Sequence, residues 1–338
     1  MTSPDMNTQR GLTLVELMIA LVLGTVLLLG VTNVFIAQRE SFRINENLAR
    51  MQDSARIAFE LMAREIREAG GTPCGTPLVA NVVNDADTSD WLDWSDGGLE
   101  GFEGGVAMPG VAFGAGTAAR VRGTDALKIR SGSVNEGIVI TEHTPTAAQF
   151  KVNTVNHGFN DEEILMACDY RQAAIFQVTN ASPGTNNTIV HNSGAGNPGN
   201  CSKGLGFPTD CGSATGNEYS FEKNGFLTRL SATAWYVGSN GRGGRSLYRV
   251  ENGGAAQEIA EGVTDMQLQY LTRTGNTMAD AYVDADEIAS WANDAAERVV
   301  AVRVVLNLES ADAVGSDNAT LKRQLIHVVS LRHRENVQ

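Results

Sequence analysis

"QRGLTLVELMIALVLGTVLLLG", residues 9–30, sets one carboxylate, Glu16, six residues after Arg10 and at the mouth of an otherwise uncharged apolar run. From Leu17 to Ala37 there are 21 residues without a charge. At about 1.5 Å per residue that is enough to cross a hydrocarbon core about 30 Å thick. An ordinary secretory signal puts its small-residue cleavage site after the apolar region, whereas here Gly11 stands before it, beside Arg10. The order predicts that the apolar segment is retained. A charge carried into a membrane costs about 2.5–3.5 kcal/mol or more unless it is paired, so Glu16 needs a partner. A cut between Gly11 and Leu12 would make one, because the new α-amino group is positive and Glu16 becomes the fifth residue behind it.

Beyond Ala37 the pattern turns amphipathic. Ile44, Leu48, Met51, Ala55, Ala58, Met62, Ile66 and Ala69 recur at steps of three and four, with Arg50, Arg56, Glu60 and Arg64 between them. One continuous helix over Leu12–Ala69 is the economical reading, about 87 Å long at 1.5 Å per residue. It should stop at Gly70-Gly71, with Pro73 just beyond. Gly24, Gly30 and Asn33 are the points where it could bend. The second half should lay its apolar stripe on the rest of the chain.

With 338 residues and 42% hydrophobic content, the chain can bury a sizeable core. Its formal net charge of -13 argues against wrapping nucleic acid, which needs clustered Lys and Arg. The charge is unevenly held: residues 1–70 carry 7 basic and 8 acidic side chains, residues 71–338 carry 19 and 31. The stem is balanced and the head is acidic.

In the head, residues 72–120 are rich in Gly, Asp and Trp with little periodicity, and read as a long irregular insertion. Asp85, Asp87, Asp90, Asp93 and Asp96 raise the question of calcium, but Asp90 stands where an EF-hand loop wants glycine. A solvated acidic loop is the better reading, and the group Asp280, Asp284, Asp286 and Glu287 reads the same way. From residue 124 onward short β-rich runs dominate: "DALKIRSG", "GIVIT", "AQFKVNT", "EEILMAC" and "AAIFQVTN". In "LTRLSATAWYV", Leu230, Ala232, Ala234 and Tyr236 alternate with polar residues, as in a half-buried strand. Asn240-Gly241 then signals a hairpin; the following glycines lack the Gly-Lys-Ser/Thr ending of a phosphate loop. "DMQLQY" and "VVAVRVVLNL" alternate cleanly, and "RQLIHVVSLRHR" is apolar on both faces in its middle, as for a strand covered twice. The fold class this predicts is α+β, a long helix packed on an antiparallel sheet.

There are four cysteines, Cys74, Cys168, Cys201 and Cys211, none spaced as CxxC. Two disulfides are expected if the head lies outside the cytoplasm, and four cysteines permit three pairings. The short loop between them favours Cys201 with Cys211, which leaves Cys74 for Cys168. The five histidines are dispersed without a metal-binding spacing, and no GxSxG is present. His327, alternating with Leu325 and Val329, reads as a core histidine. No cofactor and no enzymatic activity are expected.

"RGLTLVELMIALVLG" resembles the prepilin signature of type IV pilins and type II secretion pseudopilins. The resemblance implies cleavage by a prepilin peptidase after Gly11, N-methylation of Leu12, and Glu16 as the acid that meets a terminal amine during assembly. "EGVTDMQLQY", "ERVVAVRVVLNLES", "LKRQLIHVVSLRHR" and "ACDYRQAAIFQVTN" are similar to the head of PilW-type minor pilins, and more distantly to J-type pseudopilins. On this resemblance residues 1–11 are a leader, 12–70 the helix with its span at about 17–37 and its stem at 38–70, and 71–338 a periplasmic or extracellular head. It implies a pilin-like fold and a minor pilin that primes pilus assembly within a tip complex. Its partners would be the prepilin peptidase, other minor pilins, the major pilin, the inner-membrane assembly platform and lipid. A J-like secretion pseudopilin and a tip adhesin are the alternative roles.

Overall fold

The α-helix α1 runs without a break from Leu14 to Glu68, 55 residues. The computed structural model describes residues 13–132, 137–293, 295–314 and 319–334. Gly24 and Gly30 sit inside the helix with no neighbour near them, and the helix continues through both. The hydroxyls of Thr25 and Thr32 donate to Val22 O at 2.8 Å and Leu28 O at 2.7 Å, so these two polar side chains are satisfied within the helix itself. Residues 14–37 are almost wholly exposed, whereas Met51, Ala55, Ala58, Met62, Ala63 and Ile66 are buried. The stripe read from the sequence is therefore the docking face, with Ile44 and Leu48 half-buried at its upper end.

Sixteen strands follow among the described residues: β1 (Val79–Asn81), β2 (Leu99–Phe102), β3 (Ala126–Gly132), β4 (Ile140–Thr144), β5 (Gln149–Val152), β6 (Ile164–Cys168), β7 (Ala173–Gln177), β8 (Asn180–Ala181), β9 (Thr188–Val190), β10 (Phe226–Ser239), β11 (Arg245–Glu251), β12 (Gln257–Glu261), β13 (Val263–Thr274), β14 (Thr277–Met278), β15 (Glu297–Ala313) and β16 (Thr320–Ser330). They form three sheets where the sequence reading anticipated one. An eight-stranded sheet runs β1-β7-β6-β10-β11-β12, with β3 also on β10 and β2 on β3; two four-stranded sheets run β14-β13-β15-β16 and β4-β5-β9-β8. All named pairs are antiparallel except β1 with β7. Strand β10 is the seam, bonded to β6 at its start, β3 along its middle and β11 at its end.

The stem's buried face meets Leu127 and Ile129 of β3, Trp235 and Val237 of β10, and Val302, Val304, Leu306 and Leu308 of β15 in one core. Fully buried Met62 and Ile66 contribute about 2 kcal/mol each over an exposed position. A second core, built on Phe150, Phe159, Phe176 and Phe221, joins the far end of the large sheet to the small sheet.

Two strands depart from the sequence reading. From Ala232 onward β10 is buried on both faces, because residues 91–118 cover the side turned away from the stem. The segment 72–120 is thus mostly irregular, partly buried where it covers β10 and partly exposed. Strand β16 is the opposite case. It is an edge strand with Ile326 and Val328 about half exposed, so the expected double cover is absent, and His327 is exposed and stacked on Phe59 with ring centroids 3.8 Å apart. The buried histidines are His143, His157 and His191.

Candidate functional site

Thr13 is extended, φ -76° and ψ 153°, and caps α1. Its hydroxyl accepts from the Glu16 N–H at 3.3 Å, while its own N–H and hydroxyl donate to Glu16 Oε2 at 2.9 and 3.0 Å. This reciprocal capping box satisfies two open amides, those of Thr13 and Glu16, and sets a carboxylate at the positive end of the helix dipole. The T-x-x-E spacing that makes it is legible in the sequence. Gly11 and Leu12 lie outside the described residues. Just behind the cap comes the apolar segment, and α1 is one helix long and apolar enough to cross a membrane.

At its other end the helix is fixed to the head by a carboxylate that the sequence reading missed. Glu65 Oε2 accepts from the Trp235 indole at 2.6 Å and from the Thr233 hydroxyl at 2.8 Å, and Arg249 Nε donates to Glu65 Oε1 at 2.8 Å. Glu65 sits beside the apolar stripe, between Met62 and Ile66, a position that by periodicity alone is a solvated flank. Gly70, at φ +69°, then turns the chain so that its N–H reaches Arg130 O at 2.9 Å, and Gly132 N–H reaches Gly71 O at 2.9 Å. Gly98 closes over this turn, and a side chain there would meet Arg130 O at 2.6 Å. Cys74 is bonded to Cys168 at the end of β6, and Cys201 to Cys211, the pairing that loop length favoured.

The insertion is held down by buried cations. Arg120 donates to the carbonyls of Phe102, Glu103, Val106 and Thr124, and Lys128 Nζ donates to those of Asp90 and Pro109. Burial pushes the Lys128 ammonium down to about 8. Arg130 pairs with Asp96, which is therefore buried rather than part of a solvated acidic loop. Asp85, Asp87 and Asp93 instead line a cleft of about 520 Å³ with Trp94 and the Cys201–Cys211 disulfide. Among the described residues no three His, Cys, Asp or Glu side chains are grouped as metal ligands.

Two family models match the chain. Residues 6–32 match the prokaryotic N-terminal methylation motif, and residues 234–329 match PilW, the type IV pilus-assembly protein W. The first spans Gly11, Leu12, the capping box and most of the apolar segment; the second runs from β10 to β16, including the strands beneath the stem. No curated protein and no solved structure matches. The chain thus pairs a pilin-type N-terminus with a PilW-type head segment, and one long apolar helix with antiparallel sheets is a pilin-like α+β arrangement.

Proposed function

We propose that this protein is a minor pilin that promotes type IV pilus assembly within a tip complex. It is cut after Gly11 by a prepilin peptidase, methylated at Leu12, and held in the inner membrane with its N-terminus cytoplasmic and its head periplasmic. From there it enters the filament beside other minor pilins and the major pilin. Its work is packing, with no catalytic step. The observation that carries this reading is the exposed apolar helix capped at Thr13 and Glu16, inside a segment that matches the methylation motif. The match to a pilus-assembly family favours the pilus over a secretion pseudopilus.

The cap gives Glu16 a defined job. A cut between Gly11 and Leu12 creates an amine one residue before the Thr13 N–H that already donates to Glu16 Oε2. In the filament the carboxylate would meet a terminal amine, its own or that of an adjoining subunit, in a low-dielectric core where an unpaired charge is penalised. Two disulfides suit an oxidising periplasm.

The test is the amount of major pilin sheared from a deletion strain, with the retained cellular pool as control. Loss of sheared pilin with a normal pool is expected, and unchanged pili would refute the reading. In the complemented strain Glu16→Val should be processed yet fail to enter pili.

A further inference from the structure

Among the described residues no strand pairs with the outer edge of β16. Its register with β15 is regular from Ala301 opposite Ser330 to Glu309 opposite Lys322. The Leu331 N–H donates to Val300 O at 2.9 Å, which carries the same register one step further. Hydrogen-bonded pairs alternate along an antiparallel ladder, so odd-numbered residues of β16 bond to β15. Lys322, Gln324, Ile326, Val328 and Ser330 therefore turn their N–H and C=O groups outward.

Most of the other sheet edges among the described residues are guarded. Strands β1, β8 and β14 are three residues or shorter. Strand β4 has a bulge between Ile140 and Glu142, and β12 ends in Glu258 and Glu261, both paired with Arg242. Short length, bulges and charges are the usual protections of an edge. Residues 324–330 of β16 carry no charge, no proline and no bulge. Beside that edge Ile326, 48% exposed, stands next to Val305, and Val328 is 55% exposed.

The charges around the edge say what fits it. Residues 320–332 hold Lys322, Arg323 and Arg332 and no acidic residue, with Glu309 of β15 opposite Lys322, in a chain of net charge -13. Two copies of β16 paired antiparallel about their apolar centres would bring Lys322 and Arg323 of one against Arg332 of the other, which disfavours self-pairing. We propose that the β16 edge takes up an extended strand, apolar at alternate positions and acidic at its ends, from a different subunit of the pilus. The incoming strand extends the four-stranded sheet beneath the stem, with its backbone bonded to the five outward-facing residues. The identity of that subunit as a pilus component rests on the function proposed above.

The full-length protein in its own membrane and in sheared pili tests this. All four native cysteines are bonded, so Val328→Cys offers a single thiol for a benzophenone-maleimide label. Illumination should give an adduct with a different subunit, and the same label on Val155→Cys, in the exposed loop between β5 and β6, should not. Adding Ile326→Pro, whose missing N–H faces outward and leaves the β15 ladder intact, should abolish the adduct, while Ile326→Thr should keep it. No adduct from Val328→Cys, an adduct between two copies, or an adduct indifferent to Ile326→Pro would each overturn the proposal. The adduct in the otherwise unchanged chain stands even if the proline lowers abundance. A deletion strain with normal pili sinks the pilus reading alone, whereas lost pili with no adduct sinks the edge alone.

Discussion

The indole N–H of Trp235 donates to Glu65 Oε2 at 2.6 Å, joining the stem to the central strand of the head across 170 residues of sequence. Glu65→Ala would strand the indole and the Thr233 hydroxyl and leave the Arg249 guanidinium with Glu251 alone, all partly or wholly buried. The expected loss is about 2–3 kcal/mol, because breaking one partner of a buried pair leaves the others desolvated. Glu65→Gln, which keeps an acceptor, should lose less. Thermal unfolding of the detergent-solubilised chain, followed by tryptophan near-UV dichroism, checks the order.

Asp125 ties the two larger sheets together. Its N–H donates to Met266 O at 2.9 Å and its Oδ2 accepts from Leu268 N–H at 2.8 Å. Burial raises its carboxyl from 3.8 to about 7, against the opposing bond from Leu268. Between those values the folded protein keeps a proton that the unfolded chain releases, so this group makes stability fall as pH rises. Asp125→Asn should be more stable than the parent by about 1–2 kcal/mol at pH 8, and no different near pH 4. Urea midpoints at both pH values measure this, and an equal shift at the two would refute it.

His143 and His191 act in the opposite direction. Phe221 N–H donates to His143 Nδ1 at 3.1 Å, so the His143 proton sits on Nε2 and is given to His191 Nε2 at 3.2 Å. Burial lowers His143 to about 3 and holds His191 well below its ordinary value. Below pH 6.5 the unfolded chain takes up protons that the folded pair refuses, and stability is lost as pH falls. His191→Phe should flatten that limb by about 1.4 kcal/mol per pH unit. At pH 8 it should cost about 1 kcal/mol, since His143 loses its acceptor. Urea unfolding at pH 8, 6 and 5 checks both signs.

The two disulfides should differ in weight. Cys74 and Cys168 are 94 residues apart and Cys201 and Cys211 only 10. Loop-closure entropy then gives about 4–5 kcal/mol for the first and about 3 for the second. Paired serine substitutions, compared by urea midpoint, should rank in that order.

The stem face was legible because helix periodicity and burial coincide from Met51 to Ala69, and the alternating runs marked most strands of the head. What could not be read was what covers each strand. Lys128 and Arg130 in "DALKIRSG" look like a solvent face by alternation, yet the carbonyls of Asp90, Trp91 and Pro109 receive them. "RQLIHVVSLRHR" looks doubly covered, yet nothing among the described residues lies against its outer edge. His143 and His191, 48 residues apart, meet only because β5 brings the strands on either side together. Pairwise cover of this kind is a tertiary property with no local period.

The turn after the stem also fixes how the protein would carry load. A pull along α1 would leave the helix at Gly70, where the chain is bonded to β3 on both sides of the turn. Five residues after its C-cap Ala69, the Cys74–Cys168 bond passes the strain covalently into β6, which is bonded to β7 along one side and to β10 along the other. Pulling the head off the stem would therefore mean shearing several ladders at once instead of unzipping one strand from its end. The joint between stem and head is built as a mechanical coupling.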